Sequence, residues 1–191
     1  MHSDRELATR VVLGKDQQAF CQLVERHQAA IRAFLRRLLA GDHAAADDLA
    51  QETFLAAYSK LHTWKGDAQL STWLHSIAYR KFLERLRREK RFDLMAEVPE
   101  PATSGRLPAE DEILAQQLMG LLDATDRACL TLSYAVGLLH EEIAEIVDLP
   151  VGTVKSRVHR AKLKLQDWLS DHDHSIQDSG PQAGLEQSHA R

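Results

Sequence analysis

Cysteine is scarce in this chain, aromatic residues are few, and no long apolar run breaks the charged pattern. The two cysteines, Cys21 and Cys129, lie far apart and form no Cys-x-x-Cys pair. That excludes a disulfide framework and zinc-ribbon spacing, and it places the chain in a reducing cytoplasm with both thiols buried and inert. No stretch approaches the ~20 apolar residues that a membrane span requires. The opening residues, MHSDRELATR, put no apolar segment behind their charges and do not read as a signal peptide. A phosphate-cradling glycine loop is missing, as is any nucleophile paired with a base. The histidines are scattered, with His172 and His174 in a polar tail. An enzyme, a metal site and a bound cofactor are therefore not expected.

Apolar residues make up 44% of the 191 positions but aromatics only 6%, so the core must consist mainly of Leu, Ala, Ile and Val. This length suits one medium domain or two small ones. Net charge is −4, yet it is unevenly spread. Arg80, Lys81, Arg85, Arg87, Arg88, Lys90 and Arg91 crowd one segment, and a second basic block lies near the carboxy-terminal end. Acid collects at Asp42, Asp47, Asp48 and Glu52, and again between Asp93 and Glu112. A protein that gripped DNA unaided would more often be basic overall. Two basic islands in an acidic chain suggest that a larger partner supplies part of the affinity.

The second basic block is the most informative stretch, HEEIAEIVDLPVGTVKSRVHRAKLKL, from His140 to Leu165. A short helix over Glu141 to Val147 turns Ile143, Ala144 and Val147 inward. Asp148-Leu149-Pro150 interrupts it, because proline cannot continue a helix and restricts its predecessor. A second helix begins near Val151 with Val154, Val158 and Leu165 inward, and Lys155, Ser156, Arg157, His159, Arg160, Lys162 and Lys164 on its other faces. Two short helices joined by a tight turn, the second basic, describe a helix-turn-helix. Such a second helix enters the major groove and meets base edges.

Upstream, apolar residues recur at helical steps from Asp16 to Ala40, and Gly41 is a natural stop. Asp42 can cap a second helix with Leu49, Phe54, Tyr58 and Leu61 inward. Trp64 to Gln69 breaks the pattern as a loop. Ser71 or Thr72 can cap a third helix striped by Leu74, Ile77, Ala78 and Leu86. Residues 92–111 gather Pro99, Pro101, Ser104, Gly105 and Pro108 among acids and read as a flexible linker. The stretch 171–191 reads as a disordered tail. No strand-like alternation appears. The expected fold is all-α: a helical bundle over 1–91 and a helix-turn-helix unit over 112–170.

Four segments in order carry a resemblance to a known family: AFCQLVERHQ, DDLAQETFLAAY, WKGDAQLSTWLHSIAYR and the helix-turn-helix itself. Together they resemble bacterial RNA polymerase sigma factors of the extracytoplasmic-function group, over about Val11 to Leu169. The resemblance implies two helical domains, regions 2 and 4. It also implies binding to the clamp helices and flap of core polymerase, recognition of two promoter elements, and silencing by an anti-sigma factor. Catalysis would belong to the polymerase.

By that resemblance, Asp48, Gln51 and Glu52 match the positions that dock on the clamp helices. Their i, i+3, i+4 spacing puts them on one helix face. Trp64 and Arg80 match the pocket for the start-proximal element, with Lys65 and Gln69 on the adjoining loop; an unstacked base needs such aromatic or polar walls. Arg80 departs from the asparagine common in relatives. Trp73 is expected in the core. Lys155, Ser156, His159 and Arg160 match the positions that read the upstream element, since lysine and arginine donate to guanine and serine suits either kind of edge. Arg157, Lys162 and Lys164 are expected on phosphates. Leu139 replaces a frequent capping serine, a loss worth ~1 kcal/mol. The rival reading is a stand-alone regulator with a LuxR-type motif, which would need a receiver or ligand domain ahead of it.

Overall fold

In the computed structural model, which describes residues 2–93 and 110–177, the chain is helical throughout, with no strand among the described residues. Helices α1 (Asp4–Gly14), α2 (Gln17–Leu38), α3 (His43–Lys60) and α4 (Leu70–Asp93) form a first unit. A second contains α5 (Glu110–Gly120), α6 (Ala124–Thr131), α7 (His140–Val147) and α8 (Val151–Gln177).

The first helix buries only a short apolar stripe, Leu7, Ala8 and Val11, although its start is written in the chain. Ser3 Oγ accepts the Glu6 amide at 3.2 Å and the Ser3 amide donates to Glu6 Oε2 at 2.7 Å, the reciprocal pair that opens a helix. Asp4 anchors α1 to α2 through Arg26 and, at 2.9 Å, His27. Asp16 and Asp42 cap α2 and α3 by accepting the amides of Ala19 (3.0 Å) and Ala45 (2.9 Å). The chain reverses after α2 through left-handed Ala40 and Gly41, the latter at φ +106°. Leu23, Ile31, Phe34, Leu35, Leu49, Leu74 and Phe82 fill the bundle.

Helix α4 does not start as expected. It begins at Leu70, and neither Ser71 nor Thr72 caps it. The Trp73 amide bonds the Gln69 carbonyl instead. Thr72 is buried and bonds Glu142 of the second unit at 3.3 Å. Tyr58, expected inside, is 42% exposed and meets Phe20 edge-on at 4.8 Å. Cys21 is exposed too, because it falls off the apolar face of α2, whereas Cys129 is fully buried.

In the second unit, Asp123 caps α6, and Gly137 takes φ +81° after a π turn over Leu132–Val136. Ile143, Ile146, Val147, Val154, Val158 and Ala161 close its core. Left-handed Asp148 ends α7, and the Pro150 carbonyl accepts the amides of Thr153 and Val154 to open α8. Helix α8 continues to Gln177, so the stretch read as tail is helical over its first part, and His172 and His174 lie on that extension. Residues 178–191, like the body of the expected linker, lie outside the described residues.

The two units pack together. Arg127 of α6 donates to the Leu38 carbonyl at the end of α2, and its other nitrogen reaches the Leu122 carbonyl at 3.0 Å. Buried Tyr79 of α4 lies beside Thr125 of α6. None of these joints is visible in sequence spacing.

One buried group makes the fold sensitive to acid. His75 is 2% exposed, packs edge-on against Phe34, and its Nδ1–H donates to the Ser71 carbonyl at 2.7 Å. Burial lowers its pKa, with the nearby His27 charge adding a smaller push the same way. The folded chain therefore refuses a proton that the unfolded chain accepts below about pH 6.5, and stability falls as pH drops through that value. Denaturant melts between pH 7.5 and 5.5, roughly one unit either side of that value, are expected to show this slope, and His75→Leu is expected to flatten it. An equal slope in both chains removes His75 as the cause.

Candidate nucleic-acid interface

Helix α8 owes its exposed basic face to periodicity. Val154, Val158 and Ala161 are drawn into the core, which leaves Lys155, Ser156, His159, Arg160 and Lys162 exposed on the remaining faces. The Ser156 hydroxyl turns back to the Thr153 carbonyl at 2.9 Å and can still accept. Arg157 departs from the expected phosphate role. Its guanidinium reaches Asp126 at 2.6 Å and Asp123 at 3.4 Å, tying α8 to the start of α6. Lys164 likewise donates to the Leu121 carbonyl at 2.6 Å. Both cations close the unit on itself because the residues they meet come from elsewhere in the chain.

A second feature is a pocket of about 350 Å³ beside the loop that leads into α4. Trp64, Lys65, Trp73 and Arg80 line it, with Asp67 and Ser76 among the polar walls. The Trp64 indole donates to the Ala68 carbonyl at 3.1 Å, which holds the ring across the loop. Gly66 allows the loop's left-handed turn at φ +81°, and Arg5 of α1 braces it by donating to the Lys65 carbonyl at 3.4 Å. Arg80 is exposed at the rim. Gln69 does not line the pocket; its side chain accepts from Ser71 at 3.4 Å. Trp73 packs against the core and also walls the pocket, because a half-buried indole presents an edge to each. An aromatic wall beside two cations suits an unstacked base and its phosphate.

The third expected surface lies on α3. Asp48 and Gln51 are exposed. Glu52 turns toward α4, between Lys81 at 3.6 Å and Arg88 at 3.9 Å. Beside them is an apolar groove lined by Phe20, Val24, Phe54 and Leu55, and Leu55 is 73% exposed. Sequence reasoning missed Leu55, although a leucine one position off the inward stripe was the available signal.

A sigma-70 region 2 model matches residues 23–92 and a sigma-70 region 4 model matches 113–165. The chain is 34% identical to the ECF RNA polymerase sigma factor SigW of Bacillus subtilis, over 82% of this chain and 91% of that one. It is 35% identical to the ECF RNA polymerase sigma-E factor of Escherichia coli, over 84% and 91%. This chain belongs to the extracytoplasmic-function group of the sigma-70 family. Its fold is similar to CnrH in complex with the cytosolic domain of CnrY, with a TM-score of 0.67, 29% identity and coverage of 88% of this chain and 97% of that one. It is also similar to RpoE in complex with the anti-sigma factor NepR from Bartonella quintana, with a TM-score of 0.66, 29% identity and coverage of 79% and 96%. Residues 23–92 match sigma-70 region 2 and fold as helices, rather than as the receiver or ligand domain that the LuxR-type reading requires.

Arg157→Ala is expected to lower unfolding stability by about 1.5–3 kcal/mol, because it removes a charged hydrogen-bond donor between α6 and α8. Chemical denaturation monitored by circular dichroism measures it. A loss below about 0.5 kcal/mol, the size of an ordinary surface change, would show that the ion pair does not hold the unit together.

Proposed function

We propose that this sigma factor binds core RNA polymerase and directs it to promoters, with region 4 on the upstream element and region 2 on the opened start-proximal element. The observation that supports this best is the pairing of two unlike sites on one chain. One is a basic helix face shaped for a duplex groove; the other is an aromatic, cationic pocket shaped for a single base.

Arg160, Lys155, Ser156 and His159 read base edges in the major groove, and Lys162 meets phosphate. Arg157 serves the same helix from inside by fixing it on α6. Trp64 and Arg80 hold a flipped base and its backbone, with Lys65 beside them and Trp73 as a further wall. Gln69 belongs to the loop rather than the pocket. Asp48 and Gln51 dock on the clamp helices, the exposed Leu55 and Tyr58 adding apolar area, while Glu52 shapes the face through its cation partners. Region 4 meets the flap. An acidic docking face raises the association rate toward a basic partner. Two modest DNA contacts joined on one carrier gain from effective concentration, so neither must be tight.

An anti-sigma factor is a further expected partner, because RpoE of Bartonella quintana forms such a complex. Among the described residues, no helix is long and apolar enough to cross a membrane.

Arg160→Ala is expected to cost about 1–3 kcal/mol of discrimination at one upstream base pair while core affinity stays unchanged. Transcription from a panel of upstream-element variants with reconstituted holoenzyme measures the first, and competition for core the second; loss of both together counts against the assignment. Asp48→Ala with Gln51→Ala is expected to weaken core binding about tenfold, a change of ~1.4 kcal/mol. An unaltered midpoint in the competition assay takes those residues out of the interface.

A further inference from the structure

A cavity of about 510 Å³ lies between α2 of region 2 and α5 of region 4. It shares no lining residue with the Trp64 pocket, which α7 walls through Glu145 and Ile146. The space exists because α2 gives small side chains, Ala29, Ala33 and Ala40, to the side that α5 crosses with Ala115 and Met119. Gly41 lets the two helices close at one end: it holds φ +106°, and a Cβ there would stand 2.6 Å from Gln116 Cδ. Around this apolar floor stand the guanidiniums of Arg32, Arg36 and Arg37. Arg32 and Arg36 share one carboxylate, Asp47, at 3.8 and 3.3 Å. Arg37 donates to the Ala33 carbonyl at 3.1 Å and is exposed, as is Arg36. Like charges four apart on a helix repel, and one acid does not balance two cations. The end of α2 favours positive charge, but Arg127 already holds the Leu38 carbonyl there. The arginine cluster therefore exceeds what the helix itself requires.

We propose that this cavity is a nucleotide site, taking a nucleoside diphosphate with its phosphates on the guanidiniums and its base over the alanine floor. The planar fork of arginine matches phosphate oxygens and pairs with them bidentately. An inorganic phosphate would leave the floor uncovered. A flat ring covers it, meets the Met119 thioether, and stacks on a guanidinium plane. The volume and the make-up, apolar walls with a few convergent polar groups, are those of a small-ligand site. Gln116, whose amide nitrogen lies 3.5 Å from His43 Nε2, carries both a donor and an acceptor for a base edge. Because α2 and α5 belong to different regions, a bound nucleotide touches both and ties them together. The site does not depend on the roles proposed for Trp64 or for α8.

The test titrates the full chain with ADP by isothermal calorimetry, with pyrophosphate and adenosine as the two halves of the probe. ADP is expected to bind more tightly than either half. Arg36→Gln with Arg37→Gln is expected to weaken ADP by about tenfold or more, because each change removes a charged hydrogen-bond donor. Both side chains are exposed, so the fold is expected to survive, which circular dichroism verifies. Ala115→Phe, at an exposed position of α5, fills the floor; it is expected to weaken ADP and to leave pyrophosphate unchanged. Lys155→Ala with Arg160→Ala is expected to leave ADP affinity unchanged, which separates the cavity from the basic face of α8. No saturable heat with ADP, equal affinity in the Arg36 and Arg37 variant, or loss of binding in the α8 variant overturns the site. ADP that binds no tighter than pyrophosphate, or that ignores Ala115→Phe, overturns the nucleotide as its occupant.

Discussion

The guanidinium of Arg127 is the interaction on which the arrangement of the two regions depends. Helix ends leave carbonyls without intrahelical partners. Arg127 supplies donors to two of them at once, Leu38 at the close of α2 and Leu122 in the turn before α6. Burial depresses its pKa, yet an arginine stays charged in proteins. A cation at the carboxy-terminal end of α2 is also favoured by the helix dipole. This single side chain therefore ties the end of α2 in region 2 to the start of α6 in region 4.

Helix α4 shows what that coupling demands. One face carries Leu74, Ala78 and Phe82 into the bundle. A second gives Thr72 and Tyr79 to region 4. A third presents Trp73 and Arg80 to the pocket, and further along Lys81 and Arg88 draw in Glu52. A helix with this many neighbours cannot show a clean amphipathic stripe. Its basic run is accordingly not a plain DNA surface, because several of its cations hold carboxylates of α3 and of α4 itself.

Region 4 economises in a similar way. Leu139 cannot cap α7, but Glu142 still accepts the Leu139 amide, so half of the reciprocal motif survives. On α8, cations that point along the core edge are spent on Asp126, Asp123 and the Leu121 carbonyl. Lys155, Arg160 and Lys162 are left exposed on the outer face. The division follows from angle around the helix, and a charge count along the chain cannot express it.

The sequence by itself determined the helical class, the two-part organisation, the capping Asp42, the turn at Asp148 to Pro150, and the residues of α8 that face outward. Each follows from local rules: period 3.6, cap chemistry and proline geometry act over a few residues. The first helix was equally readable from Ser3 and Glu6, but its apolar stripe is short. Only the tertiary structure decided that Tyr58 and Leu55 are exposed, that Thr72 leaves its expected cap to meet Glu142, that Arg157 is an internal tie, and that α7 walls the pocket of Trp64 and Arg80. Those outcomes depend on atoms brought together from distant positions. Their pairing energy is set by burial and direction, neither of which spacing along one helix contains.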